Sequence, residues 1–285
     1  MLLEDRAEVL IEPLHGLRGA RRKRGGRPMI GRLALNGFVA LVAAFLVLPI
    51  LAIVPAAFSA QSFIRLPPEN WSLRWWGAFF NDASWRLTLL ASLKVAAFTT
   101  LVCVLAGTAA ALGIARSAPR GRALLTGLFL GPVVTPAIVL AVALYSVARA
   151  TGLVGTTTAL VIAHTVLALP FVVLNVGVSL DGLDRRLLLA AAGLGAGSWR
   201  IFRTVTLPLI APGVVGGAVF AFVTSFDEVV LSIFLAGPTV KTLPVRIWEE
   251  IRLEYTPVVA VGATVMLALA LSAAGMNRLL TRKAR

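Results

Sequence analysis

Asp184-Arg185-Arg186-Leu187-Leu188-Leu189-Ala190-Ala191-Ala192-Gly193-Leu194-Gly195-Ala196-Gly197-Ser198-Trp199-Arg200-Ile201-Phe202-Arg203-Thr204-Val205-Thr206-Leu207-Pro208 lies between two long apolar segments. A loop that only reverses the chain needs a few residues; this one has room for two helices. Leu187–Leu194 is rich in Leu and Ala, strong helix formers, and Gly193, Gly195 and Gly197 interrupt the run where φ > 0 becomes available. Ser198 is placed to cap a second helix over Trp199–Thr206, which Pro208 is expected to end. A helix–turn–helix with a small-residue face, set between two apolar spans, is suited to docking another protein.

Outward from this loop the chain is apolar. It is 58% hydrophobic and 14% charged, with a mean hydropathy of +0.89, more apolar surface than one water-soluble core needs. Six stretches approach or exceed the roughly 20 residues that cross about 30 Å of hydrocarbon as a helix. They lie near Ala34–Phe58, Leu87–Ala115, Leu124–Val147, Leu153–Leu180, Leu209–Leu235 and Pro257–Leu280, the fourth interrupted by Pro170 and the fifth by Asp227-Glu228. The expected fold is all-α and polytopic: a basic tail over residues 1–33, then one transmembrane domain over 34–285 with the loop at about 181–208. Leu2–Leu14 has the pattern of a short amphipathic helix. The apolar run of the first span exceeds the 7–15 residues of a typical signal-peptide core, so it is expected to stay as an anchor.

The net charge of +14 is unevenly placed. Across the alternation that six spans impose, Lys and Arg number 19 on the side of the termini and the quoted loop, against 7 in the loops of the other side, with Lys94 inside a span. An excess of Lys and Arg stays cytoplasmic, so both termini and the loop are expected there. This distribution argues against nucleic acid as the partner; Arg21-Arg22-Lys23-Arg24 needs only a topogenic role or contact with anionic lipid. Trp71, Trp75, Trp76, Trp85 and Trp248 fall on the opposite side, where interfacial belts account for such rings.

Covalent chemistry finds little support. Cys103 is the only cysteine, and the two histidines, His15 and His164, are far apart in sequence. No phosphate-binding loop, metal-ligand spacing or nucleophile–base grouping is present in the sequence.

The quoted loop resembles the EAA loop of ABC-transporter permeases, whose pattern is Glu-Ala-Ala, three residues, Gly, nine residues, an aliphatic residue, one residue, then Leu-Pro. Ala190, Ala191, Gly195, Val205, Leu207 and Pro208 fall into register, and Leu189 stands at the glutamate position. The resemblance implies an ATPase-docking loop involving Leu189, Ala190, Ala191, Gly195, Ala196, Trp199, Leu207 and Pro208. It also implies ABC ATPase subunits, a second homologous permease and a periplasmic substrate-binding protein as partners. ATP would bind the ATPase, leaving no cofactor on this chain.

Further motifs are similar to those of spermidine/putrescine-type permeases, most like the second permease of such importers. They are Asn70-Trp71-Ser72-Leu73-Arg74-Trp75-Trp76, Ser92-Leu93-Lys94, Ala163-His164-Thr165, Leu169-Pro170-Phe171, Ser225-Phe226-Asp227-Glu228-Val229-Val230, Gly237-Pro238 and Thr242-Leu243-Pro244. Polyamines or related small solutes are the implied cargo.

Charges inside the apolar segments need an explanation, because a charged Asp at mid-membrane costs about 2.5–3.5 kcal/mol on insertion scales. Ser225, Asp227 and Glu228 are candidates for the substrate path, where the acids would attract a cation. The alternative is packing, through an ion pair with Lys94 or hydrogen bonds to helix ends. Lys94 can also snorkel, and His164 is expected to hydrogen-bond between helices. Lys241–Tyr255 alternates charge signs and is expected to form a solvated helical face with i,i+4 pairs. A competing class, an ion-coupled secondary transporter working without an ATPase, would use the same charges as a relay but has no need of the loop.

Overall fold

The computed structural model describes residues 29–253 and 256–283. The expected amphipathic helix at Leu2–Leu14, most of the basic tail, and Glu254 and Tyr255 lie outside them. The chain divides into two units, Met1–Leu51 and Ala52–Arg285. The first holds most of α1 (Met29–Ala56), an apolar helix whose stretch Leu35–Ala56 is long enough to cross a membrane. The second holds the last turn of α1 and all that follows. Among the described residues the fold is helical, and β pairing is confined to an isolated bridge between Ser59 and Trp71. Among the described residues five helices are long and apolar enough to span, or six if one bent pair counts as a span.

The second unit is built on three mutually packed helices: α3 (Ala83–Arg116), α6 (Thr157–Asp181) and α9 (Leu207–Phe226). Their starts are fixed locally. The Asp82 carboxylate accepts the Ser84 and Trp85 N–H groups ahead of α3, and the Thr156 hydroxyl accepts the Ala159 N–H ahead of α6. In lipid, apolar burial gives little drive for association, so close contact has to come from small side chains. Val172 of α6 sits between Gly107 of α3 and Gly217 of α9. A Cβ added at Gly107 would lie 2.8 Å from a Val172 methyl, and one at Gly217 would lie 2.9 Å from the Val172 Cα. Cys103, Ala111, Ala168, Val176, Ile210 and Ala221 complete this buried seam.

Other elements pack around it. The short helix α2 (Arg74–Asn81) meets α3 and α12 (Val258–Lys283), and α11 (Leu243–Leu253) meets α3 and α12. Trp85, expected in an interfacial belt, is only 3% exposed: it packs against Phe79 at a ring-centroid distance of 5.4 Å, with the Arg246 guanidinium over its ring. On α11 the expected i,i+4 pair forms between Arg246 and Glu250, and Lys241 reaches Glu249 at 2.7 Å.

Four local expectations are revised by proline and acid chemistry. First, the third span is two helices, not one stretch over Leu124–Val147. It is α4 (Pro119–Val134) followed by α5 (Ala137–Ala150), bent by 101°. Thr135 is extended (φ −78°, ψ 130°) before Pro136, as a residue preceding proline tends to be, and the Pro136 ring has no N–H to continue the ladder. Second, Pro170 does not interrupt the fourth span; it is buried within an unbroken α6. Third, Pro208 does not end the loop's second helix. A single π-turn, Phe202–Thr206, lets the Leu207 N–H donate to the Phe202 carbonyl five residues back, and the proline enters α9 in its first turn, where a missing donor costs little. Ser198–Phe226 is therefore one 29-residue helical stretch. Fourth, α9 ends at Phe226, and Asp227-Glu228 occupies a break before α10 (Val230–Leu235) instead of lying inside a span that continues to Leu235.

Candidate functional site

Two places gather the residues singled out from the sequence. The first is the loop after α6. Asp184 accepts the Arg186 N–H at 2.9 Å and starts α7 (Arg185–Gly193). The helix closes through paired backbone bonds: the Gly195 N–H donates to the Ala192 carbonyl at 2.9 Å and the Ala196 N–H to the Ala191 carbonyl at 3.1 Å. This is a Schellman end, which needs a left-handed residue at its turn, and Gly195 supplies it with φ +80°. Gly197, not Ser198, then stands at the cap position of α8 (Ser198–Ile201) and makes no side-chain cap.

The loop is apolar at its tip and basic at its flanks. Leu189, Leu194 and Trp199 are 71%, 89% and 72% exposed, with the Trp199 ring tilted against Phe202 at 5.5 Å. Arg185, Arg186, Arg200 and Arg203 are all exposed around them. Ala190 and Pro208 are exposed, Ala191 and Ala196 half-buried, and Leu207 begins α9. Behind the tip a cleft of about 730 Å³ opens between the ends of α3 and α6 and the side of α7, lined by Arg116, Arg122, Asp181, Arg185, Leu188 and Leu189 among others. Arg122 and Asp181 pair across it at 2.8 Å.

The second place is the break between α9 and α10. The two acids there differ in what they do. Glu228 Oε1 accepts the Leu231 N–H at 2.8 Å, so this carboxylate closes the first turn of α10. The Asp227 carboxylate is exposed and makes no hydrogen bond or ion pair among the described residues. Lys94 is exposed on α3 and pairs with neither acid among those residues. Ser225 is turned away from any path surface: it is 4% exposed, with its hydroxyl 2.9 Å from His164 Nδ1. The other ring nitrogen, Nε2, lies 3.0 Å from the hydroxyl of Ser232, which is fully buried. The sequence alone pointed to His164 as an interhelical hydrogen-bonding residue but gave no sign of Ser232, a small polar residue in an apolar run.

Gly-mediated packing of spanning helices, a broken span carrying a carboxylate, and an exposed helix–turn–helix between spans define a membrane permease component. Comparison with known proteins bears this out. Residues 104–285 match the family described as binding-protein-dependent transport system inner membrane component. The spermidine/putrescine transport system permease protein PotC of Escherichia coli is 32% identical over 254 residues, covering 89% of this chain and 96% of that protein. The putrescine transport system permease protein PotI of the same species is 29% identical over 230 residues, 78% of this chain and 82% of that protein. A bacterial ABC transporter involved in the import of the acidic polysaccharide alginate shares the fold at a TM-score of 0.66 and 16% identity, over 88% of this chain and 96% of that one.

The chain belongs to the binding-protein-dependent transport system inner membrane component family. It is a multi-pass permease subunit of an ABC importer, a transport component and not an enzyme. That membership replaces the secondary-transporter alternative, since the family works as part of an ABC system.

Proposed function

We propose that this permease imports polyamines or closely related cationic solutes and that Asp227 is the anionic contact on its half of the path. The single observation that carries the reading is the exposed Asp227 carboxylate at the chain break, unpaired among the described residues. Fold alone does not choose a substrate: the alginate importer has this architecture and an anionic cargo. The names of PotC and PotI point toward polyamines, and a free carboxylate at a helix break is the feature such a cargo requires. A charge facing lipid is costly, so an exposed Asp at the end of an apolar span belongs to a watery path or a polar partner surface.

The remaining assembly follows from the loop and the charge distribution. The tip formed by Leu189, Ala190, Ala191, Gly195, Ala196 and Trp199 docks an ABC ATPase subunit, and Leu207-Pro208 carries its motion into α9 through the continuous Ser198–Phe226 helix. ATP is bound by that ATPase and no cofactor by this chain. A second homologous permease completes the path, and a periplasmic binding protein delivers the solute. Both termini and the loop face the cytoplasm of a bacterial inner membrane, with Lys and Arg distributed 19 to 7 in favour of that side.

The test is uptake of labelled spermidine by the complete importer carrying Asp227→Asn or Glu228→Gln. Asp227→Asn is expected to lower uptake about tenfold at unchanged protein level, equivalent to ~1.4 kcal/mol, within the range of one carboxylate–ammonium contact at partial screening. Glu228→Gln is expected to act on the amount of folded protein, because its carboxylate caps α10. Unchanged uptake by Asp227→Asn at normal protein level would remove the cation-contact role.

A further inference from the structure

The geometry points to His164 as the positioning residue for the chain break: its imidazole ties Ser225 on one side of Asp227 to Ser232 on the other and so holds the Asp227 carboxylate toward the path. This rests on the path role proposed for Asp227 and concerns what keeps that residue in place.

The break cannot hold itself. A six-residue helix such as α10 is far below the length at which an isolated helix is stable in water, about 12–15 residues, so its position has to come from its neighbours. At its far end the Gly155 N–H donates to the Leu235 carbonyl at 2.9 Å, and Gly155 and Gly237 pass so closely that a Cβ on Gly237 would lie 2.7 Å from the Gly155 Cα. Leu231 and Leu235 are buried against Ala141, Ala159, Leu160 and Ala163. At its near end, among the described residues, only Glu228 and His164 act through side-chain hydrogen bonds: Glu228 accepts from the Leu231 N–H, and His164 Nε2 meets Ser232.

His164 does something that Glu228 does not, because it reaches across the break. Its ring is 1% exposed and both nitrogens are engaged, Nδ1 with Ser225 at 2.9 Å and Nε2 with Ser232 at 3.0 Å. A neutral imidazole has one donor and one acceptor nitrogen, and a serine hydroxyl can play either part, so both contacts are satisfied in either tautomer. The rigid ring thereby fixes the separation of two hydroxyls that are seven positions apart in the chain. Asp227, Glu228 and Val229 lie between those anchors, and of the two acids only Asp227 remains exposed. Packing alone would be served as well by an apolar side chain of similar volume; two buried hydroxyls on separate helices, both aimed at one ring, would then be left unpartnered.

The test uses the complete importer in membranes, with Asp227→Cys as a reporter; native Cys103 is buried and fully shielded. Labelling rates with a cationic and an anionic methanethiosulfonate reagent are compared in three backgrounds: His164 retained, His164→Leu and His164→Gln. With His164 retained, the cationic reagent is expected to react readily. In His164→Leu the rate is expected to fall at least about fivefold, the population shift expected from losing two net hydrogen bonds, and in His164→Gln, whose amide also offers one donor and one acceptor, to recover most of it. A purely structural role would lower the amount of folded protein without changing the rate per folded molecule. The double variant Ser225→Ala/Ser232→Ala, which keeps the ring and removes both partners, gives the same readout if His164→Leu accumulates poorly. Equal rates with His164 retained, in His164→Leu and in the double serine variant would overturn the positioning role while leaving Asp227 on the path. No labelling at all with His164 retained would overturn the path role of Asp227, and the positioning role with it.

Discussion

Gly195 is the residue at which loop conformation and coupling can be separated from bulk. Its φ of +80° closes α7 through the Schellman bonds, and nothing lies within 4 Å of the position a Cβ would take. Substitution therefore meets no steric wall; its cost is the left-handed backbone, about 1–2 kcal/mol for an ordinary L-residue and less for Asn. That range corresponds to a factor of about 5–30 in the population of the native turn. The expected order of coupling is Gly, then Asn, then Ala, then Val. Asn is larger than Ala, so the order differs from one set by size, and β-branched Val is the least tolerant of positive φ. The assay is solute-stimulated ATP hydrolysis and uptake by the reconstituted importer, alongside ATPase retention during purification. Protein level should stay near that of the parent, because the residue lies outside the helical seam. Hydrolysis and uptake in Gly195→Val equal to those of the parent would refute the reasoning. So would a ranking by side-chain volume, with Asn worse than Ala, since it would restore a steric cause.

Other outcomes follow from the same structure. Leu189→Glu changes a side chain that is 71% exposed, so the isolated permease should lose no more than about 0.5 kcal/mol of stability. ATPase retention, measured by co-purification, should nevertheless change, because the position lies on the proposed docking tip; retention equal to the parent's would remove Leu189 from the interface. Gly217→Leu should reduce accumulation of the whole subunit, measured by quantitative immunoblot of membranes, since its Cβ would press on the Val172 backbone; overpacking of this kind costs about 1–3 kcal/mol or more.

How much of this was legible in the sequence depends on the range of the interaction concerned. The spans were legible because about 20 apolar residues have few alternatives, and the turn at Gly195 because a Schellman end is a local event. Pro170 and Pro208 were misjudged for one shared reason: what a missing N–H does depends on what surrounds it. Pro136 follows an extended Thr135 and bends the chain by 101°, Pro170 is held inside α6 by the helices on either side, and Pro208 is absorbed by the π-turn before it. None of those three contexts is written in the residue itself. The acid pair shows the same limit more sharply. Asp227 and Glu228 are adjacent and chemically alike, and sequence offered both equally to a path, to Lys94 or to a helix end; Glu228 takes the last of these. What separates them is that α9 stops at Phe226, so that Glu228 stands just before α10 with its carboxylate on the Leu231 N–H while Asp227 stays at the end of α9. His164, 61 residues away from Ser225, meets a serine on each side of that stop. The division of labour between two neighbouring carboxylates thus depends on where the helices end and what packs around the break, which is why it emerges only once the helices are packed.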